Sequence, residues 1–515
     1  MGQLITNYFI QYTEYAVTNI PEIFLALICL INLIVISMSY FRSSSIWPLK
    51  YKFFSLRLLQ FNIEALVIVL FLYIWHIWID TTWIINPFLA VDLYVTFFKM
   101  LIIGTTLFVL RNSHKYILYH LNPVTEYSFM MTAACFFLVL LVSSTSLIFM
   151  LICVLGFSLS LYILVMYDIP YKKSLEATSK YFYLSTLSAA FILSGTFMVY
   201  TCVHTNVFCN ISCILFERAN QNAWLDLAFI NVGITTVLFG LFFKLAAFPC
   251  QLWAPEIYEG SPNAVMAFFV LPVKIATLAI FIKLFTSVFK DLYYLWNYVV
   301  WYSSWSSMIF GCVGAYNEDS IKKFIAYSSM NQIGFLLIGI VCGTFEGIQA
   351  TIIYLLIYIA MNMCFLQFYL NTFYVEQSKN IEYLTELKHF SKNNWQISIG
   401  IVIIFFTMAG IPPLAGFFGK YFLFLSAFES ENYALVVVGM ITSLISTYYY
   451  LRVIKILWFE DSPFDFIRRW KESRLKSQLN TNELTLFYTL IIFLTVFLFF
   501  AKFLFYLTEI IVFSC

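Results

Sequence analysis

Two lysines stand where lysine is costly. Lys244 and Lys274 each lie well inside an apolar run, and the two runs flank the short polar turn WAPEIYEGSP. A lysine near the centre of a bilayer-spanning helix costs about 2.5–3.5 kcal/mol. The same runs are interrupted or flanked by Pro249, Pro255, Pro262 and Pro272. Proline removes a backbone donor and frees a carbonyl. In lipid such groups must be satisfied by protein or by water lining a cavity. Costly charges beside broken helices are the pattern of an ion pathway. The plainer reading is lysines that snorkel to the interface. It fits poorly, because both sit several residues from any polar segment.

These lysines need spanning helices to hold them, and the composition supplies the material. Of 515 residues, 62% are hydrophobic and 11% charged, against about 25% charged in a soluble domain. The chain reads as an all-α, polytopic membrane protein. A net charge of +2 gives no basis for nucleic-acid binding, which calls for a basic patch. The excess of Phe (57) and Tyr (35) over Gly (18) suggests coding in an AT-rich genome such as an organelle's. The start, MGQLITNYFIQYTEY, has neither the charged opening of a signal peptide nor the arginines of a transit peptide. The cysteines are scattered through apolar runs, and Cys202, Cys209 and Cys213 do not match a metal spacing. They read as buried small hydrophobes. Asn210-Ile211-Ser212 fits a glycosylation pattern by chance.

About 20 apolar residues span a bilayer. Such runs lie near 21–41, 63–86, 88–110, 127–144, 146–166, 181–203, 225–247, 263–285, 294–315, 324–342, 347–371, 396–429, 432–458 and 484–508. That predicts about fourteen spans. The run 396–429 contains Gly410-Ile411-Pro412-Pro413 and is read as one helix broken in the middle. If the spans alternate, one face receives Arg42, Lys50, Lys52, Arg57, Arg111, Lys115, Lys172, Lys173, Lys322, Lys323, Lys379, Lys388, Lys392 and the basic tract 460–482. The other receives Arg218, Lys290 and little else. The positive-inside rule then places both termini on the outer side. No Walker loop, haem, zinc or iron–sulfur pattern occurs. His76 reads as interfacial, and His114, His120, His204 and His389 fall in loops without assigned chemistry. The chain itself is therefore expected to hold no redox centre, leaving proton or ion movement, or packing, as its work.

The stretch FKLAAFPCQLWAPEIYEGSPNAV (243–265) resembles the proton-antiporter-like membrane subunits of respiratory complex I. NEDSIKKFIAYSSMNQIGFLLIGI (317–340) resembles the family segment that follows, and MAGIPPLAGFFGKYFLF (408–424) its broken twelfth helix. STYYYLRVIK (446–455) is similar to the segment that ends the thirteenth. The resemblance covers roughly residues 88–458, in the right order and spacing. Within the family the pattern is most similar to the chain 2 branch. The chain 4 branch usually has glutamate at the position of Lys420, and the chain 5 branch continues into a long lateral helix.

The resemblance implies an antiporter-like fold with inverted repeats and discontinuous seventh and twelfth helices. It divides the chain into an N-terminal three-helix segment (1–126), a core (127–458) and a basic linker with a last helix (459–515). It implies a proton relay through Lys244, Lys274 and Lys420, with Lys180 as a further family lysine near the start of the sixth helix. Desolvation disfavours a charged ammonium and a nearby carboxylate favours it, so a buried lysine can be poised between both states. Asp92 and Lys99 resemble a third-helix family pattern, read as a structural pair or helix-end contacts. NADH, FMN, iron–sulfur clusters and ubiquinone are expected in other subunits, with no cofactor bound by this chain. The implied partners are other membrane-arm subunits and lipids, in the mitochondrial inner membrane with both termini toward the intermembrane space. Three positions depart from the family. An ungapped alignment puts Leu155 where the fifth helix usually carries a glutamate, and Gln251 and Gln332 replace usual histidines. Lys244 is accordingly expected to lack a carboxylate from the fifth helix, Asp168 lying too far along to substitute. Two other readings stay open, a cation/proton antiporter subunit and a structural membrane-arm subunit that has lost pumping.

Overall fold

Apolar runs bounded by polar turns fold as helices because only a helix satisfies its own backbone groups in lipid. The computed structural model describes residues 19–42, 48–78, 84–85, 89–120, 124–167, 172–219, 224–374, 381–388, 390–460, 475–477 and 481–514. Asp168, His389, Lys379 and most of the basic tract 460–482 lie outside the described residues. The helices are α1 (Ile20–Arg42), α2 (Pro48–Trp78), α3 (Leu93–His120), α4 (Val124–Ser143), α5 (Leu147–Val165) and α6 (Lys172–Val203). They continue with α7 (Trp224–Leu245, resuming as Trp253–Gly260), α8 (Asn263–Val288), α9 (Tyr293–Asn317), α10 (Ile321–Cys342) and α11 (Phe345–Asn371). The last three are α12 (Trp395–Ala409, resuming as Ala415–Glu429), α13 (Tyr433–Trp458) and α14 (Thr481–Phe513).

Among the described residues, 12 helices are long and apolar enough to cross a membrane. The two other expected spans are α9, which is more polar, and the broken α12. Four buried serines lower the apolarity of α9, and each hydroxyl is satisfied by a carbonyl. Ser303 donates to Phe248 O at 2.8 Å and Ser304 to Gly334 O at 3.0 Å, while Ser306 and Ser307 bond within the helix.

Some boundaries differ from expectation. The helix α2 starts at Pro48 rather than near 63 and ends at Trp78 rather than 86. Its first turns carry Lys50, Lys52 and Arg57, so hydropathy reads them as loop although the backbone is helical. With 31 residues it is about 46 Å long, more than the roughly 30 Å hydrocarbon core needs. Likewise α6 begins at Lys172. A short helix, Phe208–Ala219, lies between α6 and α7 and carries Asn210-Ile211-Ser212. Among the described residues there are also two small strand pairs, Ile84–Ile85 with Ala90–Val91 and Thr372–Tyr374 with Leu475–Ser477.

The centre of the bundle is α8, buried throughout, flanked by the nearly buried α10 and α11; α1 and α14 are peripheral. The first turn of α1 and the end of α14 lie on one face, here called the terminal face. There Tyr94 N–H, at the start of α3, donates to Ser514 Oγ just past α14 at 2.9 Å. Glu22 in the first turn of α1 pairs with Lys99 of α3. The opposite, basic face gathers Glu259 with Lys173 at 3.0 Å and Lys323 at 3.2 Å, Arg452 with Asp319 at 2.5 Å, and Lys388 with Glu460 at 3.1 Å.

Candidate functional site

Lys244 stands at the end of the first half of α7. The chain leaves the helix through Ala246, held at φ 59°, and passes Pro249 before the helix resumes at Trp253. Carbonyls at this break find side-chain donors. Trp253 Nε1 donates to Phe243 O at 2.9 Å, and Ser303 Oγ to Phe248 O at 2.8 Å. Lys244 is 3% exposed, and among the described residues its Nζ has no hydrogen-bond partner. It lies 5.3 Å from the Phe157 ring centroid and 5.8 Å from that of Phe243. No carboxylate of the described residues pairs with it. The alignment that set Leu155 opposite this lysine needs correction, because Leu155 is exposed on the outside of α5 and Phe157 faces the ammonium.

Lys274 follows a π-turn, Phe269–Val273, that contains Pro272. The Tyr358 hydroxyl of α11 donates to Val270 O in that turn at 3.1 Å. Lys274 is 1% exposed, and its Nζ is likewise unpartnered among the described residues.

Lys420 sits on the second half of α12 and uses the break itself. Its Nζ donates to Met408 O at 3.1 Å and Ala409 O at 3.0 Å, carbonyls that the helix end leaves free. The ammonium also lies 4.9 Å from the Phe335 ring centroid. Gly410, at φ 86°, turns the chain where an L side chain is strained.

Polar side chains of α10, α11 and α13 lie in the same interior. The Tyr354 hydroxyl donates to Gln332 Oε1, and Asn331 Nδ2 to the Tyr449 hydroxyl at 3.3 Å. Gln251 Oε1, Tyr258 OH and Asn331 Oδ1 are buried without a partner among the described residues. Groups of this kind are satisfied by ordered water. Sequence reasoning missed the tyrosines, which are hidden among many others in apolar spans. Asn331 stands next to Gln332 in the stretch 317–340, and that adjacency is the signal the sequence offers.

The other predicted residues lie elsewhere. Lys180 pairs with Glu256 at 2.5 Å on the lateral surface, with side chains 50% and 56% exposed, and does not join the buried three. The inward face of α6 is made by Ala177, Tyr181, Ser185 and Ser188, which turns Lys180 outward. Lys99 pairs with Glu22 rather than Asp92. Asp92 keeps a helix-end position, its carbonyl accepting from Thr96 N–H at 2.9 Å.

Residues 144–446, which hold Lys244, Lys274 and Lys420, match the family described as "NADH:quinone oxidoreductase/Mrp antiporter, TM". The chain belongs to this family. Among its relatives in the NADH:quinone oxidoreductase/Mrp antiporter family, NADH-quinone oxidoreductase subunit N of Pelagibacter ubique is 35% identical over 379 residues, covering 73% of this chain and 78% of its own. Subunit N 1 of Rhizobium meliloti is 33% identical over 354 residues, covering 68% and 72%. Subunit N is the bacterial counterpart of chain 2. In fold, the chain is similar to one of the respiratory complex I of Thermus thermophilus, with a TM-score of 0.74 at 22% identity, covering 95% of this chain and all of that one. It is equally similar to a chain of the Mrp complex of Dietzia, with a TM-score of 0.75 at 16% identity, covering 96% and 97%.

Proposed function

We propose that this chain is a proton-translocating membrane-arm subunit of an NADH:quinone oxidoreductase. Protons move through Lys244, Lys274 and Lys420, coupled to quinone reduction elsewhere in the assembly. One observation carries the reading. Three lysines are buried beside interrupted helix segments, none paired with a carboxylate of the described residues. A buried charge without a partner is expensive, and a lysine that must gain and lose a proton is a reason to keep one. The chain binds no redox cofactor in this reading. NADH, FMN, iron–sulfur clusters and ubiquinone belong to partner subunits, and lipids cover the rest. We place it in a mitochondrial inner membrane with both termini toward the intermembrane space. The Phe- and Tyr-rich composition and the basic loops on one face support that placement.

A cation/proton antiporter subunit remains the second reading, favoured by the likeness in fold to the Mrp chain. The relatives at 30% identity or more favour the first. A subunit that has lost pumping is the third reading, favoured by the missing fifth-helix carboxylate, since α5 presents Phe157 to Lys244. The test is the number of protons moved per NADH oxidised in membranes carrying Lys244→Ala or Lys420→Ala. A lowered yield at native assembly is expected, and an unchanged yield in both refutes the relay.

A further inference from the structure

A second set of buried charges lies where α1, α2, α3 and α8 meet at the terminal face. Glu22 and Lys99 form an ion pair of 2.5 Å with side chains 6% and 1% exposed. The Lys99 ammonium lies 5.6 Å from the Tyr73 ring centroid on α2. Asp92, one residue before α3, is half-buried within electrostatic reach of Lys283 and Lys99. Lys283, near the end of α8, donates to Ser144 O at 2.9 Å. Two acids and two ammoniums from three elements thus share one corner.

Asp92 keeps one oxygen, Oδ1, buried without a hydrogen-bond partner among the described residues, while Glu22 interacts with the Tyr73 hydroxyl as well as Lys99. A carboxylate with a purely structural role would gain by satisfying that oxygen, since a buried orphan costs about 1–3 kcal/mol. A proton or a water on the carboxyl removes that cost. Burial raises the Asp92 carboxyl above its ordinary value against the pull of Lys283 and Lys99, the direction a proton-carrying acid needs.

The helix α8 joins this corner to the relay. Lys274 and Lys283 are nine residues apart, about 14 Å along the axis. Between them lie the Thr277 hydroxyl and the Tyr94 hydroxyl, the latter donating to Ala279 O at 2.8 Å. Lys274 directly follows one π-turn, and Lys283 directly precedes another, Leu284–Val288. Such turns are rare and concentrate at functional sites.

We propose that Glu22, Asp92, Lys99 and Lys283 form a proton-transfer station between Lys274 and the aqueous phase at the terminal face. The inference rests on the relay reading above. A proton released by the Lys274 ammonium protonates the Asp92 carboxylate by way of intervening hydroxyls and water. The carboxyl then passes it to bulk water beside the Glu22–Lys99 pair. Only N–H and O–H bonds change. The two ammoniums balance the two carboxylates, so a passing proton adds a single charge and is not held.

The test reads protons moved per NADH oxidised in membranes, with the amount of assembled complex measured in the same preparation. Asp92→Asn keeps shape and removes titration. Glu22→Gln combined with Lys99→Met removes both charges and leaves no lone buried ion. Each is expected to lose the same share of proton yield as Lys274→Ala, and Asp92→Glu to restore it. If the double variant does not assemble, Asp92→Asn decides. Native yield in assembled Asp92→Asn, beside a loss in Lys274→Ala, overturns the station and leaves the relay standing. Native yield in Lys274→Ala overturns the relay and the station with it.

Discussion

Gly416 opens the second half of α12, and an added Cβ there would lie 1.7 Å from Thr407 O and 2.7 Å from Thr407 C. The obstacle is backbone, so it cannot swing aside as a flexible side chain would. Gly416→Ala must therefore part the two halves of α12 by about an ångström, at an overpacking cost of about 1–3 kcal/mol. The next two residues after Thr407 supply the carbonyls that hold Lys420 Nζ, at 3.1 and 3.0 Å. Moving them by that much takes them past hydrogen-bond range. A hydrogen bond to a charged group contributes about 1.5–3 kcal/mol, and about 1.4 kcal/mol is tenfold in occupancy. Losing either carbonyl thus depopulates the present ammonium position by about tenfold or more. The assay is NADH-driven quinone reduction and proton yield per assembled complex, with a drop of about tenfold in coupled turnover expected. Gly104→Ala on α3, where a Cβ meets nothing within 4 Å, is the control and should be neutral or gain about 0.5–1 kcal/mol. A Gly416→Ala complex with native abundance, turnover and yield would refute the claim that this break positions Lys420.

Three further outcomes are expected. Asn32→Leu removes donation to Asn62 at 2.9 Å and to Thr132 at 3.4 Å. It should lower thermal stability of the purified complex by about 0.6–1.7 kcal/mol and leave proton yield unchanged. Tyr354→Phe deprives buried Gln332 Oε1 of its donor and should slow coupled turnover without loss of assembly, read as quinone reduction per complex. At the basic face, burial pushes the Glu259 carboxyl up, but Lys173 and Lys323 pull it further down, so it sits below its ordinary 4.5. Its contribution to stability is complete above that ordinary value and is lost as pH falls through the lower folded one. Thermal scans from pH 6 downward should therefore show native protein losing stability that Glu259→Gln never had.

Span count was legible because lipid demands long apolar helices, and each polar exception had a visible cause. The serines of α9 and the Gly410–Pro413 break in α12 were both in the sequence. Helix ends were less legible where basic residues continue a helix beyond the hydrocarbon, as at Lys50 and Lys52 in α2. Hydropathy reports solvent preference, whereas the helix is set by backbone hydrogen bonds that do not stop at the bilayer edge. Pairing across the bundle was not legible at all. Lys99 lies closer in sequence to Asp92, yet its partner is Glu22, 77 positions away.

The fifth helix shows why. Leu155 and Phe157 are two positions apart, a rotation of about 200° around an α-helix. An alignment can place a position in the right turn and still name a residue on the wrong side of the cylinder. Here the exposed residue is Leu155, and the one facing Lys244 is an aromatic ring. A ring face holds a desolvated ammonium by about 2 kcal/mol, whereas a carboxylate in its place would bring a desolvation cost of several kcal/mol for its own charge. The ring stabilises the cation without fixing its proton through a strong ion pair. Under the proposed relay, that leaves Lys244 able to give up its proton, which is what an unpaired lysine at a broken helix is suited to do.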